Sequence, residues 1–259
     1  MPTELVSRAN RIYRATSFAH DGMRHDVFAG GAGPPVILIH EAGGLDLTTL
    51  DIADRLLAEG FRILLPVIVG QPHADGSGSS VFVNIAKLCV SREVFVLVTG
   101  RTSRIATWLR ALAANEKGDH LGVGVIGMCF SGGFALAAAV DDSVVAAVES
   151  QPAFPWPVLP GSGTDLGLSN ADLGCVRDRY RAGQFGLFAT RYASDRASPS
   201  QRMDRIRQEF GPDVVVEPIG TGHSVLAEAA HPTKANPAAV PALDATIALL
   251  KARLQPASI

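Results

Sequence analysis

The sequence predicts an α/β fold, with a mostly parallel central sheet and helices on both faces. Short apolar runs alternate with amphipathic stretches along most of the chain, the pattern of strands joined by crossover helices. Strand-like runs are bounded by Gly and Pro, and helix-like ones carry apolar residues at helical spacing. The chain has 259 residues, 47% of them hydrophobic. A chain of that size buries roughly 70–75% of its unfolded surface and needs no disulfide or metal to hold its core.

Residues 36–40 (VILIH) are the first clear strand, set between Pro34-Pro35 and Gly43-Gly44. Residues 49–59 carry Leu50, Ala53, Leu56 and Leu57 on one helical face, and Gly60 stops them. A strand over 62–69, a helix around 108–115 and a buried strand over 122–126 follow. An Ala-rich helix over 134–140 and a strand over 143–149 complete the middle of the chain. Residues 152–169 break the rhythm with prolines and glycines and read as a surface excursion. Ser169 to Asp172 resembles a capping box, with Asp in place of Glu, opening a helix to about Arg181. Strands at 185–191 and 214–219 and a helix at about 239–253 finish the chain. With no internal repeat or low-complexity tract, residues 1–259 read as one domain.

The formal net charge is −2, with acids and bases scattered. No basic run points to nucleic acid. No apolar run reaches the ~18–20 residues of a membrane span, and the first thirty residues lack a signal-peptide core. The expectation is a soluble, cytoplasmic protein, monomeric or homodimeric. Gly30, Gly31 and Gly33 precede a strand instead of joining strand to helix, so they form no dinucleotide fingerprint. No ligand pair has usable metal spacing.

Three cysteines are too few for a disulfide framework. Cys129 stands apart from Cys89 and Cys175, which have no comparable setting and read as structural. In GVGVIGMCFSGGFALAAAV it lies between a buried strand and a small-residue helix, with Gly127, Gly132 and Gly133 leaving room for a sharp turn. At a helix N-terminus the dipole and free N–H groups favour a thiolate and an oxyanion product. The N–H of Phe130 is one oxyanion donor on this reading. A small buried hydrophobe is the alternative for Cys129. Ser131 is a rival nucleophile, but it sits past the turn and points into the helix.

A thiol needs a base, and that base needs an orienting group. His223, in IGTGHS, follows the last strand on a glycine-flanked loop. His20, His25, His73, His120 and His231 read as solvated loop histidines. Asp195, in RYASDR, follows the strand ending near Arg191. Taken alone it reads as an ordinary turn aspartate hydrogen-bonding its own backbone. The order nucleophile, acid, histidine is that of an elbow-type site. After the first strand comes HEAGG, where the Ala42 N–H is the candidate second oxyanion donor. Glu41 beside the thiol would disfavour its ionised form, although a solvated loop acid is its plainer reading.

These residues resemble the dienelactone hydrolase family, in PVILIHEAGGL, GVGVIGMCFSGGFAL, RYASDRASP and GTGHSV. The resemblance covers most of the chain and implies an α/β-hydrolase fold. It implies Cys129, Asp195 and His223 as the triad, Phe130 and Ala42 as oxyanion donors and Glu41 as the acid contacting the thiol. It implies hydrolysis of an enol lactone without metal or cofactor. Two departures stand out. Ser131 replaces a common glycine, and Ala227 replaces an arginine of the family's carboxylate site. Arg101 and Arg104 lie in the stretch of the other carboxylate-binding arginine. The expected substrate is therefore a small, fairly apolar ester, lactone or thioester. Residues 152–169, with Phe154, Trp156 and Leu159, suit either a cap over an apolar pocket or a packed loop. A binding protein on the same fold and a non-hydrolytic acyl-substrate enzyme of a biosynthetic pathway remain alternatives.

Overall fold

The computed structural model describes residues 2–72, 81, 83, 84, 87, 102–154 and 162–255. Nine strands form one sheet: β1 (Glu4–Val6), β2 (Ile12–His20), β3 (Met23–Gly30), β4 (Pro35–Ile39), β5 (Arg62–Pro66), β6 (Val123–Met128), β7 (Val144–Ser150), β8 (Gly186–Thr190) and β9 (Val215–Val216). Their order is β1-β2-β3-β5-β4-β6-β7-β8-β9. From β5 to β9 the pairings are parallel; β1, β2, β3 and β5 pair antiparallel.

Helices cover both faces, because strands buried on two sides must bury both sets of side chains. On one face lie α1 (Leu47–Ala58), α6 (Val225–Ala230) and α7 (Val240–Leu254). On the other lie α2 (Arg104–Lys117), α3 (Gly132–Ala138), α4 (Asn170–Arg181) and α5 (Ser200–Phe210). Every residue of β4 and β6 is buried, which is why they read as continuous apolar runs. Asp46, Ser103 and Ser169 cap α1, α2 and α4 by accepting from the N–H three residues on.

Several expectations change. The antiparallel meander β1–β3 has no counterpart in the sequence reading; β2 is mostly exposed, so burial imposes no apolar alternation on it. The strand expected at 214–219 shrinks to Val215–Val216: residues 212–214 form a 3-10 turn, and Pro218 has no N–H to give a ladder. Only half of the expected capping box forms, because the Asp172 carboxylate turns to Arg110 and Thr102. His25 is no loop residue; it sits half-buried on β3, edge-on to Trp108. Cys175 lies exposed on α4 and not in the core. Cys89, His73, Arg101, Trp156 and Leu159 lie outside the described residues, as does much of the excursion at 152–169. Among the described residues, no helix is long and apolar enough to cross a membrane.

Candidate active site

Five residues converge at the C-terminal edge of the parallel strands, where open α/β sheets place their ligand sites. Glu41 follows β4, Cys129 follows β6, Gln151 follows β7, Asp195 follows β8 and His223 follows β9.

Cys129 has φ +55°, a left-handed backbone that a non-glycine residue rarely adopts. Such strain persists only where the surroundings impose it, and they do. A Cβ on Gly127 would lie 2.1 Å from the Ser131 carbonyl oxygen. One on Gly132 would lie 2.6 Å from the Pro152 Cβ. The strand thus runs straight into the helix, and Cys129, half-buried, is carried at the bend. Ser131 is fully buried beneath it. Its Oγ accepts from Met128 N (2.9 Å) and faces the Met128 carbonyl (2.8 Å), with the carbonyls of Ile39 and His40 just beyond. The rival hydroxyl is therefore a staple under the elbow.

Asp195 and His223 are brought together by ties between their loops. Ala193 N donates to Pro218 O (3.2 Å), and Ser194 Oγ donates to Gly220 O (2.7 Å). Close approach over the Tyr192 ring requires glycines: a Cβ on Gly220 or Gly222 would lie 3.0 Å from it. His223 Nδ1 then donates to Asp195 Oδ2 (2.7 Å), while Asp195 Oδ1 accepts from the N–H groups of Ala197 (2.8 Å) and Ser198 (3.3 Å). Burial pushes the Asp195 carboxyl up, but His223 and these two N–H groups outweigh it and hold it below the ordinary carboxylate range. Burial pushes His223 down; Asp195, the contact and charge of Cys129 and the charge of Glu41 reverse this and raise it to about 11. An imidazole so placed readily takes a proton from a neighbouring thiol.

Glu41 does not hydrogen-bond to Cys129. Its Oε1 accepts from Gln151 Nε2 (2.7 Å) and its Oε2 from Ser224 Oγ (2.7 Å). Burial pushes its carboxyl up, and the His223 charge and these two donors offset that only in part, so it stands above the ordinary carboxylate range. The Ala42 carbonyl accepts from Asn84 Nδ2 (2.9 Å), which fixes the backbone of the expected oxyanion loop. Phe130 is the first residue after the bend, where N–H groups have no intrahelical partner.

Three supporting residues escaped the sequence reading. His40 is fully buried and pushed down to about 4 by that burial. Its Nε2 accepts from Ile68 N (3.0 Å), so Nδ1 bears the hydrogen and donates to the Glu41 carbonyl (2.7 Å). Arg191 holds the carbonyls of Ala193 and Asp195 and pairs with Glu217. Gln151 has φ +35° and is fully buried. Their only signal in the sequence is a polar residue at the end of an apolar run. Ala227, at the position of the family's carboxylate-binding arginine, is buried on α6 in the core, and Arg104 donates to the Asp21 carbonyl (2.6 Å).

The model of the dienelactone hydrolase family matches residues 27–159. No curated protein sequence matches the chain. Solved structures similar to it include a dienelactone hydrolase-like promiscuous phosphotriesterase from metagenomic libraries, 21% identical, covering 93% of this chain and 98% of that one, TM-score 0.65. A dienelactone hydrolase from Anabaena variabilis is 17% identical over 94% and 98%, TM-score 0.62. A Klebsiella pneumoniae protein provisionally named a dienelactone hydrolase is 17% identical over 91% and 98%, TM-score 0.60. At these identities they show the fold, that of the α/β-hydrolases.

Proposed function

Given that the chain belongs to the dienelactone hydrolase family, a family of hydrolases of small molecules, we propose that it is a cysteine hydrolase of small, uncharged esters, lactones or thioesters. The observation that carries this is Cys129 at a left-handed bend beside an imidazole that Asp195 orients. His223 takes the thiol proton and the sulfur attacks the acyl carbon. The N–H groups of Phe130 and Ala42 hold the oxyanion. Collapse breaks the bond to the leaving oxygen or sulfur, which takes the proton from His223, and leaves an acyl-thioester on Cys129. Water then gives His223 a proton and attacks that thioester. The second collapse releases the carboxylic acid, and His223 returns its proton to the sulfur.

Activated esters and enol lactones suit this site, since thiolate attack on a poor leaving group collapses backwards. An uncharged substrate is supported by Ala227 in the core and by Arg104 engaged with Asp21. The test is kcat/KM over a panel of neutral and carboxylated activated esters and lactones. Neutral members are expected to be preferred, and Cys129→Ala to lose at least about a thousandfold. Retained turnover in that variant, or preference for the carboxylated lactone, would overturn the reading.

A further inference from the structure

The network around Glu41 does more than satisfy a buried acid. Gln151 sits at the end of β7 in a left-handed backbone, its N–H donating to Thr190 O (2.6 Å). Ser150 Oγ donates to Gln151 Oε1, which settles the orientation of the amide and turns Nε2 toward Glu41. Ser224, directly after His223, takes the other carboxylate oxygen. The neutral His40 ring holds the Glu41 backbone from below. Glu41 is thus fixed from β7, from the histidine loop and from its own strand.

We infer that Gln151 and Ser224 are positioning residues that lock Glu41 as a second counter-charge to His223, leaving the Cys129 thiol to the imidazole alone. This rests on Cys129 as nucleophile and His223 as its base. Among the described residues, the main charged or titratable groups acting on His223 are Asp195, Cys129 and Glu41, and Asp46 acts in turn on Glu41. With each Glu41 oxygen held by a donor and no hydrogen bond from Glu41 to the sulfur, no acid among the described residues is hydrogen-bonded to the thiol, and the reactive pair is assembled before any substrate arrives. Activation then needs no charged group on the substrate, in keeping with an uncharged acyl compound.

The experiment is an NMR titration of the His223 ring in the full-length chain, without substrate. Glu41→Gln is expected to lower the His223 midpoint by about one pH unit or more, as loss of a nearby opposite charge does. Ser224→Ala and Gln151→Leu are expected to lower it in the same direction, and Ser224→Thr, which keeps the hydroxyl, to restore it. A merely structural role would lower the melting temperature and leave the midpoint alone. Midpoints within about 0.3 unit of wild type in folded Glu41→Gln or Ser224→Ala would overturn the inference. Should Gln151→Leu fail to fold, Ser224→Ala decides alone. Because no turnover is read, a shifted midpoint without acylation of Cys129 would sink the hydrolase reading and support the positioning role.

Discussion

Glu41 and Glu149 are two buried carboxylates near the same edge of the sheet, and burial pushes both up. Around them the molecule differs. Glu41 is hydrogen-bonded at both oxygens and faces His223. Neither oxygen of Glu149 has a hydrogen-bond partner among the described residues. Its neighbour Arg202 eases it by charge, but that guanidinium donates to the carbonyls of Pro152, Ser162 and Asp165. Glu149 is therefore raised to about 8 and protonated at neutral pH. The lesson is that an acid buried without donors is left to burial and one neighbouring charge, whereas a buried acid fitted with donors beside an imidazole has contacts that favour its ionised form and couple it to that neighbour.

The largest effect should come from the carboxylate that holds His223 directly. Asp195→Asn is expected to lower kcat/KM by roughly 10³–10⁴-fold, through loss of the tautomer and of the imidazolium's counter-charge. Steady-state kinetics on a responsive ester checks it.

Glu149→Gln should act on stability and leave the activity profile unchanged. Its folded-state pKa of about 8 lies above the ordinary 4.5, so the folded chain holds an extra proton between those values. That contribution is full below pH 4.5 and is lost as pH rises toward 8, by about 2–5 kcal/mol in all. Urea unfolding at pH 5 and pH 8 should show the decline in wild type and a flatter course in the variant. Equal slopes would erase the contrast between the two acids.

Ser131→Ala should cost about 1–3 kcal/mol, because it strips a buried donor and acceptor from beneath the elbow. Acylation of Cys129 should survive it. The smallest effect is that of Glu41→Gln on catalysis, about a tenfold fall in kcat with KM held, in proportion to about one unit lost at His223. A change in the pH course of stability as large as that of Glu149 would show that Glu41 is no more than a buried acid.

What could be read in advance follows how strongly burial marks the sequence. The strands β4 and β6 and the elbow were legible because a strand buried on both faces has no polar alternative and a bend this tight excludes side chains. Cys129, Asp195 and His223 were legible as strand-end residues in a fixed order. The meander β1–β3 was not, since an exposed edge carries no pattern. Nor were Gln151, His40 and Arg191, whose roles depend on partners far away in the chain: Gln151 and Glu41 are 110 residues apart. The same distance explains Glu41. Sequence set it near the thiol, but only the fold brings in the two donors that turn it toward the histidine.

The most direct measurement is intact-protein mass spectrometry with peptide mapping, after brief mixing of wild type and Cys129→Ala with an activated ester. A transient acyl mass is expected on the peptide containing Cys129, mapped to the sulfur and absent from the variant. An acyl group on Ser131, or turnover that persists in Cys129→Ala, would contradict it.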